Sequence, residues 1–89
     1  EVERALLEHP ALAEAVVFGV PDAQWGEAIK AVCVLKPGQT LAVDALIEFV
    51  GQRIARYKKP KHVVFVAALP KTAAGGTDRA AIKAAHAAG

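Results

Sequence analysis

The sequence predicts a small α+β domain, a mixed sheet of about three strands flanked by about three helices. Two observations carry that expectation. Segments of helical period and short β-branched runs follow one another along 89 residues in the order helix, strand, strand, helix, strand, helix. Pro and Gly punctuate the junctions, and no internal repeat or long linker breaks the order. A chain this short buries only about 60–65% of its unfolded surface, so it holds one modest core.

Each element has a local cause. Val2, Ala5, Leu6 and His9 follow the i, i+3, i+4, i+7 spacing of an amphipathic helix, and Pro10 stops it because proline has no N–H to donate. Residues 15–20 are continuously apolar, rich in β-branched side chains and bounded by Val20-Pro21-Asp22, as a strand covered on both faces would be. A second strand is expected over about 28–35, closed by the Lys36-Pro37-Gly38 turn. Val43, Leu46, Ile47, Val50 and Ile54 recur at helical spacing. Asp44 lies near the positive end of that helix, with Arg53 and Arg56 near the negative end. Residues 62–67 read as a third buried strand closed by Leu69-Pro70. After an aperiodic loop, Asp78 can cap a last Ala-rich helix over about 79–87, its carboxylate accepting a first-turn N–H.

Composition narrows the function classes. Hydrophobic residues make up 54% of the chain, yet no apolar run approaches the ~20 residues of a membrane span. Charged residues are 22% and the formal net charge is +2, so any basic function is local. The single cysteine, Cys33, sits in an apolar run where it serves as a small buried hydrophobe, and a reducing, cytoplasmic setting fits it. The chain lacks Met and opens on Glu1-Val2-Glu3 with helical periodicity already running, which reads as a piece of a longer chain.

Three stretches carry chemical potential. In Ala55-Arg56-Tyr57-Lys58-Lys59-Pro60-Lys61 an aromatic face stands among point charges, a pattern that can stack a base and meet phosphates; the same residues also suit a helix C-terminus and a core edge. Pro70-Lys71-Thr72-Ala73-Ala74-Gly75-Gly76-Thr77-Asp78-Arg79 is a glycine loop before a helix, able to approach an anion closely but lacking Walker spacing. Trp25, in the loop between the first two strands, suits a core plug as well as a ligand contact. His9, His62 and His86 lack metal-ligand spacing, and Asp22 and Glu27 have no evident acid–base partner; we expect neither a metal site nor a triad. A single aromatic in the basic patch from Arg53 to Lys61, a net charge of +2 and no nucleic-acid motif argue against a nucleic-acid partner.

Taken together in order and spacing, Glu1-Val2-Glu3, His9-Pro10, Gly19-Val20-Pro21-Asp22, Trp25-Gly26-Glu27, Tyr57-Lys58-Lys59-Pro60, Leu69-Pro70-Lys71-Thr72 and Asp78-Arg79 resemble the C-terminal domain of adenylate-forming enzymes. That superfamily includes the acyl- and aryl-CoA synthetases, luciferase and peptide-synthetase adenylation domains. The resemblance covers nearly all of residues 1–89. It implies the mobile C-terminal domain of an acid–CoA ligase, with a large N-terminal ATP- and acyl-binding domain, a hinge and a hairpin preceding Glu1 and absent from this sequence. Such enzymes activate a carboxylate with ATP, then rotate the small domain so that CoA attacks the acyl adenylate and AMP leaves. By that resemblance Tyr57 lies against the CoA adenine, while Lys59 and Lys61 meet its phosphates. ATP, Mg2+ and CoA are implied for the intact enzyme, with no cofactor bound by this domain alone. Its implied partners are the N-terminal domain, CoA and ATP or the acyl adenylate.

At one place the chain departs from the family. The adenylation half-reaction uses a lysine in a Gly-Lys pair before the final helix, and here the pair reads Gly75-Gly76, followed by Thr77 in place of an aliphatic residue. The catalytic residue is therefore unassigned, and adenylation is expected to be impaired. Lys71 is a poor substitute, because the family already has a basic residue near that position beside its lysine. The alternative is a non-catalytic nucleotide- or CoA-binding module derived from the same domain.

Overall fold

A computed structural model of the chain describes residues 2–22, 26–54 and 60–86, and within them the elements follow the expected order. Helix α1 spans Val2–Leu7 and is followed by strands β1, Leu12–Asp22, and β2, Gly26–Leu35. Helix α2, Val43–Gly51, leads to strand β3, His62–Phe65, and helix α3, Arg79–His86, completes the fold. The sheet has the order β1-β2-β3. β1 and β2 form an antiparallel hairpin running from Leu12↔Leu35 to Asp22↔Gly26, whereas β2 and β3 are parallel from Lys30↔His62 to Cys33↔Phe65. The sheet is therefore mixed, as expected.

The central strand explains its own sequence. Ala31 and Cys33 point to one face and Val32 and Val34 to the other, so β2 is apolar continuously because both faces are covered. On the first face, Ala5 and Leu6 of α1 and Leu46 and Val50 of α2 close over Ala15, Ala31 and Cys33. Leu6, Leu46 and Val50 are wholly enclosed, and each such burial contributes roughly 1.5–3 kcal/mol. On the second face, Ile82 of α3 and Leu69 pack on Val16, Val32 and Val34. Burial also raises the Cys33 thiol to about 12, so it remains a neutral thiol inside the core.

β1 is longer than its apolar run suggested. It begins at Leu12, passes a register irregularity between Leu12 and Glu14, and continues through Pro21 to Asp22. Pro21 is tolerated because β1 is an edge strand: the N–H of Val17 points away from β2, and alternation puts residue 21 on that same outward row, where no ladder donor is needed. α2 ends at Gly51, before Ile54, although the apolar period continues. The N–H groups of Arg53 and Ile54 still bond the Val50 carbonyl, at 2.9 and 3.2 Å, and the Arg53 guanidinium covers the Phe49 carbonyl at 3.1 Å.

Candidate functional site

The glycine loop is built from its stems inward. Buried Leu69 fixes its start against Val32 and Val34. The Pro70 carbonyl accepts the Asp78 N–H at 2.9 Å, and Lys71 and Thr77 form an antiparallel bridge. Inside these, the Thr72 N–H donates to the Gly76 carbonyl at 2.7 Å, and the Gly75 N–H donates to the Thr72 carbonyl at 2.9 Å. The loop is thus a small closed hairpin with an exposed tip. Asp78 ends it as expected, its Oδ1 accepting the Ala81 N–H at 3.0 Å and capping α3.

The two glycines have different reasons to be there. Gly75 has φ +89, a left-handed conformation that favours glycine. Gly76 lies outside that region, and a Cβ built on it would meet only Thr72 Oγ1, at 3.7 Å, an ordinary contact. Neither backbone nor packing requires glycine at 76. Position 76 is exposed, on the return strand just past the turn whose tip is Ala73-Ala74.

Charged side chains hold both stems. Lys71 Nζ donates to Glu14 Oε1 on β1. Arg79, the first residue of α3, forks onto Glu3 of α1, Nη1 to Oε2 and Nη2 to Oε1, both at 2.7 Å. Glu3 Oε2 also accepts the outward N–H of Val17 at 3.0 Å. The Arg79 hydrogen bonds are the main reason the Glu3 carboxyl lies below its ordinary range; partial burial opposes them and the Val17 N–H adds to them. Lys71, the cation considered as a stand-in for the missing lysine, is thus engaged by Glu14.

Of the basic stretch, Tyr57 and Lys59 lie outside the described residues, as does Trp25. Pro60 is fully enclosed, and exposed Lys61 enters β3 with its backbone N–H donating to the Ile29 carbonyl at 2.9 Å. Lys61 therefore sits beside Ile29, which pairs with Gly19, whereas the Lys71 stem reaches Glu14, which pairs with Val34. These positions lie five residues apart along β2, about 17 Å. Among the described residues, Lys61 and the glycine loop do not converge on one site; they lie toward opposite ends of the sheet. Helix α3 spans the interval, with its N-terminus at the loop and its last carbonyl, that of His86, accepting from Lys30 Nζ at 2.9 Å.

Sequence reasoning gave no role to the Glu3–Arg79 pair, whose members are 76 residues apart, or to Lys30, which is only 6% exposed. The only available signal was the presence of Glu3 and Arg79 among the residues carrying the resemblance. Among the described residues no group of three or more His, Cys, Asp or Glu can hold a metal, and no helix is long and apolar enough to cross a membrane.

Comparison with known proteins agrees with this architecture. The family described as AMP-binding enzyme C-terminal domain matches residues 1–75. An oxalate–CoA ligase of Saccharomyces cerevisiae is 42% identical over 82 residues, 92% of this chain and 15% of that protein. A long-chain-fatty-acid–CoA ligase of Bacillus subtilis is 51% identical over 75 residues, 84% of this chain and 13% of that protein. Among solved structures, a fatty acyl CoA synthetase of Mycobacterium tuberculosis superposes with a TM-score of 0.88 at 32% identity, covering 99% of this chain and 17% of that one. The chain thus spans about one-seventh of the length of the two ligases it matches.

Proposed function

This chain belongs to the AMP-binding enzyme C-terminal domain family, and on that premise we propose that it serves as the mobile C-terminal domain of a cytoplasmic acid–CoA ligase that is weak in adenylation and competent in thioester formation. The whole enzyme would convert a carboxylate, ATP and CoA to acyl-CoA, AMP and pyrophosphate, with Mg2+ accompanying ATP. Its large N-terminal domain would hold the ATP and the acid. One observation carries the reading: position 76 is exposed on the return strand of a well-formed loop, has room for a Cβ and needs no glycine, yet bears no cation.

In the adenylation step negative charge develops between the carboxylate and the α-phosphate. A preorganised ammonium at position 76 would stabilise it, and losing such a donor typically costs about 2.7–4 kcal/mol, a hundred- to a thousandfold in rate. Lys71 does not offer an easy replacement, because its ammonium is shared with Glu14 and it sits at the loop stem. The thioester step draws on the other end of the sheet. There Lys61 would meet a phosphate of CoA, an end untouched by the change at Gly76, and by resemblance Tyr57 would lie against the adenine and Lys59 meet a phosphate. Separation of Lys61 from the loop suits a rigid body that turns to present one end and then the other.

The test compares half-reactions in the protein that carries this domain. Acyl-CoA should form from supplied acyl adenylate about a hundredfold or more faster than adenylate forms from acid and ATP. Equal rates would remove the impairment. A second reading, a CoA- or nucleotide-binding module without catalysis, is favoured by the same Gly76; it predicts binding of CoA with neither half-reaction detectable.

A further inference from the structure

We infer that Arg79, acting through Glu3, is the positioning residue that orients the loop and with it position 76. The inference rests on the reading of residues 75–77 as the adenylation loop, and it concerns how that loop is aimed, independently of which side chain stands at position 76.

Internal hydrogen bonds make residues 70–78 a closed unit: Asp78 N–H to the Pro70 carbonyl, Thr72 N–H to Gly76, Gly75 N–H to Thr72, and the Lys71–Thr77 bridge. A closed unit tethered at one point can still pivot. This one is tethered at both stems, and the tethers differ in kind. The Lys71–Glu14 contact is a point charge on a flexible stem and fixes little direction. The Arg79–Glu3 contact is a planar fork with two bonds of 2.7 Å, so it fixes the orientation of the guanidinium as well as its place.

The carboxylate receiving that fork is itself immobilised. It projects from α1 on one face of the sheet and accepts the outward N–H of Val17 on the β1 edge, while α3 packs on the opposite face. Glu3 therefore ties α1, the β1 edge and the first residue of α3 at one point. The Val17 tether and Glu14 lie three residues apart on β1, about 10 Å, a baseline wide enough to set the direction of the loop between them. The lowered Glu3 pKa agrees with a carboxylate kept charged by these donors. No fold requirement explains a fork here: the α3 face already has Ile82 and Leu69 in its core, and Arg79 is largely exposed.

The deciding experiment is amide hydrogen exchange on the 89-residue chain, whose sheet is covered on both faces by its own helices. The variants are Arg79→Lys, which keeps the charge and loses the fork, and Glu3→Gln, which keeps the shape and loses the charge. In either one, the Thr72, Gly75 and Asp78 amides should exchange about tenfold faster, while those of Val32 and Cys33 rise only by the smaller factor that the loss of global stability sets. Unchanged loop amides, or loop and core amides accelerating by the same factor, would overturn the inference, the latter by showing a merely structural pair. In the enzyme carrying Gly76→Lys, Arg79→Lys should lower kcat of ATP–pyrophosphate exchange about tenfold with KM for ATP unchanged. An unchanged kcat would also overturn it. If Gly76→Lys leaves ATP–pyrophosphate exchange unchanged, the reading of position 76 as the adenylation position fails and the amide-exchange data alone decide the positioning role.

Discussion

The two ends of the sheet are fastened in different ways. At the loop end, an exposed hairpin is held by two charged contacts, Lys71–Glu14 and Arg79–Glu3, with only Leu69 and Asp78 anchoring it from below. At the basic end, Pro60 is fully enclosed and Lys61 joins the backbone ladder through Ile29. A proline in the core and a strand hydrogen bond hold position irrespective of pH and salt, whereas surface ion pairs respond to both. The difference teaches that one end is part of the core and the other is aimed by electrostatics laid over it. Each end can then change chemically without disturbing the other, and Gly76 is such a change.

The comparison breaks first under a core substitution. Leu46 is fully buried beneath α2, so Leu46→Ala should cost about 2–5 kcal/mol and lower the stability of both ends in one cooperative transition, read by chemical denaturation. Two transitions would mean that the ends are separate folding units.

A smaller effect sharpens the comparison from the loop side. Because the folded Glu3 carboxyl is held below its ordinary range, its ion pair contributes above the unfolded value near ~4.3 and is lost as pH falls through the lower folded value. Glu3→Gln should therefore be less stable than the parent at pH 7 by roughly 1 kcal/mol or less, a margin set by the exposure of Arg79 and narrowing below about pH 4. Denaturant midpoints measured across that range check it. A constant gap would mean that the carboxylate charge contributes nothing.

Much of this was legible in the sequence because it depends on neighbours. Pro10 ends α1, Lys36-Pro37-Gly38 follows β2, and Asp78 caps α3, each a local cause with a local effect. The extra length of β1 was not legible, since Pro21 reads as a terminator unless its row is known to face outward from an edge. Lys30 inside an apolar strand gave no hint of burial, because its partner is the far carbonyl of His86. The Gly75-Gly76 pair looked uniform, and only backbone angles separate a glycine that is needed from one that is not. The Glu3–Arg79 fork joins the two ends of the chain, and such contacts have no signature in one sequence.

Position 76 is exposed and has room for a Cβ, and the sequence supplies no cation there. ATP–pyrophosphate exchange by the protein carrying this domain, compared with its Gly76→Lys variant, tests that directly. The variant should exchange about a hundred- to a thousandfold faster, with thioester formation from supplied acyl adenylate unchanged. Equal exchange rates in parent and variant would contradict this, showing that the ammonium missing from position 76 does not limit adenylation.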